Sequence, residues 1–509
     1  MNSDSGKTVS PWYETTKMPD IGALDRDIET DVCVVGGGIA GLSTAYLLAL
    51  EGRDVVLIDD GNIGGGETGR TTAHISNALD DRYYALERMH GEGGARIAAE
   101  SHSAAISKIE EIIRRAQIQC DFKRLDGFLF EPPGGDVRNI EREYHAARRA
   151  GVQVELVPGA PAPFDTGKAL RFPGQARFHP LNYLQGLVRQ LQNRGTQLFT
   201  ETRADEFGNG DIITIKTNRK HSIRARALVV ATNTPVNDRV VIHTKQAPYR
   251  TFVIGLVIPK ASVQDILLWD NDTPYHYVRT QTLGEGDSAE DILIIGGEDH
   301  KTGHTEEAEA PFARLERWAR DRYPSVGEVR YRWSGQVMEP IDGVAYIGRN
   351  PGADNLYIIT GDSGNGITHG TIGGMIVTDL LMGRNNPWTA LYDPGRKTHS
   401  LTSLKDFARE NADVAAQYRS YLSRGEVSSL DEIRPGHGAI IRRGTHLIAA
   451  SRDTEGVLQQ HSAVCPHLGC IVQWNDVEKT WDCPCHGSRF AVDGHVVNGP
   501  SLGDLEPGE

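Results

Sequence analysis

Residues 31–60 read DVCVVGGGIAGLSTAYLLALEGRDVVLIDD. A short apolar run, a knot of glycines, the helical run LSTAYLLALEG and a second apolar run form one strand–helix–strand unit. Gly36, Gly38 and Gly41 stand at G-x-G-x-x-G spacing. The first glycine permits a tight turn, the second lets a pyrophosphate approach the backbone, and the third lets the helix pack close to the strand. The helix then opens at Ile39 and Ala40 with free N–H groups and its positive dipole end toward the phosphates. Asp59 closes the second strand, followed by Asp60. An acid there accepts hydrogen bonds from a ribose hydroxyl. A glycine-rich turn without a ligand has no need of strand, glycines, helix, strand and acid in that order. The unit predicts a parallel α/β sheet holding a dinucleotide, and by itself leaves NAD and FAD open.

Six cysteines are ordinary for 509 residues, but Cys465, Cys470, Cys483 and Cys485 are crowded together near the C-terminus. Cys465 and His467 form C-x-H, and Cys483 and His486 form C-x-x-H. Two thiolates and two imidazoles at this spacing suit a metal centre. A Cys₂His₂ zinc site uses the same four donors but gives no role to Cys470 and Cys485. Two unrelated cysteine pairs are the other alternative.

Asp and Glu number 68 against 54 Lys and Arg, a formal charge of −14. That argues against a nucleic-acid surface, which needs clustered basic residues. The first 29 residues lack a basic start followed by an apolar core, so no signal peptide is visible. The most apolar stretch, 32–50, is broken by clustered glycines and reads as strand, turn and helix rather than a membrane span. A cytoplasmic protein is expected.

Over roughly residues 30–383 the chain resembles the D-amino-acid-oxidase, glycine-oxidase and sarcosine-oxidase superfamily of FAD-dependent amine oxidoreductases. The matching pieces are the opening unit, GGGETGRTTAH, ALVVATN, PIDGVAYIG and GDSGNGITHGTIGG. The resemblance implies FAD, with Thr68, Gly69, Arg70, Thr71 and Thr72 lining the flavin. It implies that Gly361, Asp362, Ser363, Gly364, Asn365, Gly366 and Ile367 close over its other end. Some relatives attach FAD through a histidine in this region; the spacing of His74 does not match, and a hydrogen-bonding or structural histidine is expected.

Over about residues 429–509 the chain resembles the Rieske [2Fe–2S] domain, particularly the form in cytochrome bc complexes. The resemblance implies Cys465 and Cys483 on one iron, His467 and His486 on the other, and a Cys470–Cys485 disulfide bracing the two loops. Imidazoles in place of two thiolates raise the potential of such a cluster. The respiratory pattern continues with a Ser and a Tyr whose hydroxyls donate to the cluster sulfurs. Here Ser488 is kept and the second position is Phe490, which predicts a lower potential.

At roughly 150 residues per domain the length suggests about three domains. The expected fold is an α/β FAD-binding Rossmann-like domain with an inserted α+β substrate domain and a C-terminal all-β Rieske domain. The expected division is an N-terminal arm (1–29), a discontinuous FAD domain (30–85, 176–245 and 340–383), a substrate domain (86–175 and 246–339), a linker (384–428) and the Rieske domain (429–509). Helices are expected over 92–117, from Pro180 to about Asn193, and near 402–422.

The expected function is a dehydrogenase. An amine or amino-acid-like small molecule gives hydride to FAD, and electrons leave singly through the cluster to an external one-electron acceptor. An oxygen-using amine oxidase making hydrogen peroxide and a non-enzymatic electron-transfer module are the alternatives. A ring-hydroxylating oxygenase is disfavoured, because no D-x-x-H-x-x-x-x-H-like iron site is visible. The strand DILIIGGED carries no lysine of the kind that sarcosine-oxidase-type relatives use to activate oxygen, although Lys301 lies close. In YHYVR, strand alternation puts Tyr275, Tyr277 and Arg279 on one face and His276 on the other. Tyr277, Arg279 and His276 are the catalytic candidates, with Arg279 able to hold a substrate carboxylate in a fork. Arg250 and Arg332 are similar candidates.

Overall fold

The computed structural model describes residues 5–508, except 209, 237–241, 285, 287–288, 304–308, 398–413, 415–416, 418–420 and 422. The helix expected near 402–422 falls almost wholly outside these residues.

The opening unit builds an eight-stranded sheet. Its strands run in the order Tyr346–Arg349, Leu356–Thr360, Ser222–Val230, Ile28–Val35, Val55–Ile58 and Gln197–Phe199, with the strands Ala204–Phe207 and Ile213–Thr217 branching from Ser222–Val230. From Leu356–Thr360 to Gln197–Phe199 every pairing is parallel. Val55–Ile58 is buried at every position, as expected where both faces of a parallel sheet are covered. Helix Ile39–Leu50 crosses helix Gly366–Leu381 through a seam of glycines. A Cβ on Gly370 would stand 3.1 Å from the Ala40 nitrogen, and one on Gly374 3.1 Å from the Thr44 nitrogen.

A second, nine-stranded sheet carries most of the middle of the chain. Its order is Val329–Pro340, Gln246–Ile258, Glu290–Lys301, His276–Leu283, Leu267–Asp270, Lys123–Phe130, Ala169–Arg177 and His74–Ile75, with Glu155–Val157 beside Ala169–Arg177. The strand His74–Ile75 comes from the segment assigned to the FAD domain and joins this sheet through Ala169–Arg177. The helix Pro180–Asn193 spans the expected residues. The helix expected from 92 is the longer part of Tyr83–Ala116, which breaks at Gly91 (φ 71°, ψ 172°).

The C-terminal domain holds two small antiparallel sheets. One is formed by His437–Arg443, His446–Arg452 and Leu458–Ser462, the other by Gln473–Asn475, Thr480–Asp482, Arg489–Phe490 and Val496–Asn498. Their shared core holds the four clustered cysteines with Trp481, Phe490 and Leu505. The N-terminal arm is packed rather than free: Trp12 and Tyr13 of the short helix Pro11–Thr15 are buried in the main core. Among the described residues, no helix is long and apolar enough to cross a membrane.

Candidate active site and cluster centre

The C-terminal ends of the parallel strands open into a cavity of about 280 Å³, the usual ligand position in an open α/β sheet. It is lined by Gly36, Gly38, Ile39, Ala40, Asp59, Asp60, Thr68, Arg70, Thr71, Thr72, Gly361, Asp362, Gly364, Asn365, Gly366 and Ile367. Gly36 has φ 111°, and a Cβ there would stand 2.4 Å from the Ala231 carbonyl oxygen. Gly41 lies behind the cavity, with its Cβ position 1.8 Å from the Gly36 oxygen, so its role is helix–strand packing. The Asp59 carboxylate accepts from the N–H groups of Gly37 and Gly61. This cradle of bare backbone, helix N-terminus and acid fits a dinucleotide.

The loop 69–73 is held from outside. The Gly69 carbonyl accepts from Ser10, that of Arg70 from the Trp333 indole, and that of Thr71 from the Trp12 indole. The carbonyls of Thr72 and Ala73 accept from the Arg279 guanidinium at 3.1 and 3.0 Å. Gly69 faces the arm and does not line the cavity: its Cβ position is 2.1 Å from the Tyr13 hydroxyl oxygen. His74 does line it. Its Nε2 donates to the Val278 carbonyl, so Nδ1 accepts from the Thr72 hydroxyl. Burial, then Arg279, brings its imidazole down to about 3.

Ser363 stands outside the cavity lining, its hydroxyl between Asp81 (2.5 Å) and Glu339 (2.8 Å). One hydroxyl proton cannot serve two carboxylates. Burial, then the Asp81 charge, pushes the Glu339 carboxyl well above its ordinary range. Burial pushes the Asp81 carboxyl up as well, so the two buried acids and the Ser363 hydroxyl between them form one proton-sharing group.

The substrate candidates separate. Tyr277 lines the cavity with Tyr275, Trp269 and Thr251. Arg279 shares the strand face of Tyr277, but its guanidinium is committed to four carbonyls, those of Thr72, Ala73, Phe178 and Thr280, and to the Gln281 side chain, and it lies 5.5 Å from the Trp12 ring centroid. It is not a carboxylate fork. His276 lies on the opposite face, with Nδ1 2.8 Å from Asp270 and its ring stacked on Trp318. Arg332 pairs with Glu309 and Glu316 away from the cavity. Lys301 is absent from the described cavity lining.

The four clustered cysteines meet at the tips of two loops. Cys470 and Cys485 form a disulfide with Cα atoms 6.4 Å apart. Cys465 and Cys483 are buried free thiols, and the Cys483 sulfur lies within 4.8 Å of both disulfide sulfurs. The His467 and His486 rings are 5.0 Å apart at 90°. His486 is 5 % exposed and its buried Nδ1 has no hydrogen-bond partner. Two buried thiols, two imidazoles and an orphaned ring nitrogen fit a Cys₂His₂ iron–sulfur ligand set. Ser488 and Phe490 are fully buried beside it.

Sequence reasoning missed how the two sites join. Val496, Val497, Asn498, Gly499, Ser501 and Leu502 of the C-terminal domain also line the nucleotide cavity. Gln336 lines the cavity too, and its side-chain amide donates to the carbonyl of Gly487, the residue after His486 (3.1 Å). The His243 ring lies 5.0 Å from that of His467 and 6.0 Å from that of His486. Glu478, fully buried, pairs with Arg70 at 2.8 Å and Arg250 at 3.2 Å, and accepts from Thr8 and Ser334. Burial alone would raise the Glu478 carboxyl; Arg70, Arg250 and Arg489 outweigh it and bring it down to about 2. Arg70 thus turns its guanidinium to the C-terminal domain rather than toward the nucleotide, and Arg250 is committed to the same junction. Glu478 sits in the unremarkable turn NDVEKT, where one sequence gives no signal.

The family model for FAD dependent oxidoreductases matches residues 31–380, and that for the Rieske [2Fe-2S] domain matches residues 423–507. The chain belongs to the FAD dependent oxidoreductase family, carries a C-terminal Rieske domain, and binds FAD and a [2Fe–2S] cluster. It is 31 % identical over 501 residues to the putative Rieske 2Fe-2S iron-sulfur protein YhfW of Bacillus subtilis, covering 97 % of this chain and 96 % of that one. It is 26 % identical over 398 residues to the gamma-glutamylputrescine oxidoreductase of Escherichia coli, covering 74 % and 89 %. The crystal structure of glycine oxidase from Geobacillus kaustophilus superposes with a TM-score of 0.62 at 18 % identity, over 73 % of this chain and 99 % of that one.

Proposed function

We propose that the protein is a dehydrogenase that oxidises an amine or amino-acid-like substrate and delivers the electrons singly, through its own Rieske domain, to an external acceptor. The observation that carries this reading is the junction. Gln336 touches the nucleotide cavity on one side and the peptide next to His486 on the other. The relative named for gamma-glutamylputrescine supports an amine-bearing substrate.

Bound FAD supplies hydride acceptance and the bound cluster supplies one-electron transfer. The chain's residues supply placement. Asp59 receives the ribose, and the N-terminus of helix Ile39–Leu50 receives the pyrophosphate. Thr71, Thr72 and the loop 361–367 border the flavin. The carbonyls of 69–73 each accept a hydrogen bond from outside the loop, which would fix the loop's backbone where it meets bound FAD. Cys465, Cys483, His467 and His486 hold the cluster. Val496, Val497, Asn498, Gly499, Ser501 and Leu502 line one side of the cavity and would help shield bound FAD from solvent. An amine gives hydride as the free base, so no dedicated acid or base is required.

The test is anaerobic. A substrate from an amine and amino-acid panel bleaches the flavin, and the reduced-cluster EPR signal follows. Cys465→Ser still bleaches but loses turnover with a one-electron acceptor. Rapid peroxide formation with turnover intact in Cys465→Ser overturns the reading in favour of an oxidase.

A further inference from the structure

One end of the cavity, built by the nine-stranded sheet, is charged asymmetrically. Trp269, Tyr275 and Tyr277 wall it, with the two tyrosine centroids 5.7 Å apart. Their hydroxyls are occupied: Tyr277 meets the Thr251 hydroxyl at 2.7 Å, and Tyr275 donates to Asp299 at 3.3 Å. The rings are what the cavity receives. Asp80 completes this end. Its N–H donates to Asn365, while its carboxylate accepts no hydrogen bond among the described residues. One of its oxygens lies 1.8 Å from where a Gly364 Cβ would stand, so the carboxylate rests against the loop that borders the flavin.

Nothing cationic in the described lining offsets this. Its two arginines are committed, Arg70 to Glu478 and Arg203 to Asp205 and Asp504. Its histidines are neutral: burial brings His74 down to about 3 and His369 to about 4. A substrate carboxylate brought here would be desolvated without a partner and face another carboxylate. An ammonium would meet three aromatic rings, whose π-systems can attract cations, and a counter-ion.

We propose that this end of the cavity selects a substrate whose charged group is a cation and not a carboxylate, with Asp80 as its counter-ion and Trp269, Tyr275 and Tyr277 as its walls. The substrate class is a di- or polyamine derivative, one nitrogen reacting as the free amine and another carrying the charge. The inference rests on the amine-oxidation reading above and narrows it. Burial, reinforced by Asp81, Asp299 and Asp362 against Arg82, pushes the Asp80 carboxyl up to about 7, so a bound cation also relieves an unfavourable buried charge.

Two inert ligands of similar size separate charge preference from chemistry. Benzyltrimethylammonium and 3-phenylpropionate are titrated into the oxidised, FAD- and cluster-loaded protein, read by flavin absorbance and by melting temperature. The cation is expected to bind at least about tenfold more tightly. Asp80→Asn should remove that preference and Asp80→Glu should retain it. Equal or tighter binding of the carboxylate, absence of binding by the cation, or an undiminished preference in Asp80→Asn overturns the proposal. The wild-type comparison stands even if a variant fails to load FAD. Neither ligand can be oxidised as an amine, so the outcome is independent of the bleaching panel, whose failure would count against the amine-oxidation reading instead.

Discussion

At the scale of single residues, Phe490 and Arg279 show how one side chain decides between two chemistries. Phe490 packs fully buried in the cluster core beside Ser488. A tyrosine there would aim a hydroxyl where the ring edge now lies, and a donor to a cluster sulfur stabilises the reduced form. Phe490→Tyr should therefore raise the midpoint potential in an EPR-monitored redox titration; an unchanged or lowered value refutes the assignment. Arg279 was legible in the sequence as a cation on the right strand face, but not its reach. Its guanidinium ends on the carbonyls of Thr72, Ala73 and Phe178, which a lysine cannot fork. Arg279→Lys should leave buried carbonyls unsatisfied, costing about 1–3 kcal/mol. Its melting temperature and FAD retention should fall, while the relative preference among substrates stays the same. A selective loss of carboxylate-bearing substrates would restore the fork reading.

At the scale of elements, what the sequence made legible is what backbone chemistry alone dictates. The glycines of 36–41 and the apolar run 55–58 specify strand, turn and helix locally, and proline marks the start of Pro180–Asn193. Gly91 explains why the helical pattern reads from 92 although the helix begins at Tyr83. The small strand His74–Ile75 escaped, since two residues carry no periodicity and their partners lie about a hundred positions away. His276 was legible as facing away from Tyr277 and was still a catalytic candidate; only the tertiary contacts with Asp270 and Trp318 reveal what that face does. The helix–strand seam gives a direct test. A methyl on Gly41 would stand 1.8 Å from the Gly36 oxygen, a distance closed only by moving the backbone of the nucleotide turn. Gly41→Ala should cost about 1–3 kcal/mol and lower the flavin-to-protein absorbance ratio of the purified protein. Full FAD loading at wild-type stability would show that the seam tolerates the shift.

For the molecule as a whole, the linear order of domains conceals their junction. Two cations and two hydroxyls from segments far apart in the sequence converge on Glu478: Thr8 from the arm, Arg70 from the loop 69–73, Arg250 and Ser334 from the large sheet. Buried ions of this kind contribute little net attraction beyond their desolvation, yet removing one partner strands the others. Glu478→Gln leaves Arg70 and Arg250 buried without this counter-charge and should destabilise the folded, docked protein by about 3–5 kcal/mol. The same carboxylate gives the junction a pH signature. Its value in the folded protein, about 2, is depressed below that of an ordinary glutamate. The stabilisation is therefore complete above the ordinary glutamate value of about 4.3 and is lost as pH falls from there through about 2. Because residues of the segment 496–502 line the nucleotide cavity, undocking should open it further and expose FAD. Wild-type protein should hold FAD at pH 5 and release it increasingly over that lower window. Glu478→Gln should release it faster already at pH 7, with less additional acceleration across the window. The measurement is flavin fluorescence in solution against pH for both proteins. Parallel release profiles would mean that Glu478 does not govern docking, and that the contacts of Gln336 and Asn498 suffice to keep the cavity closed.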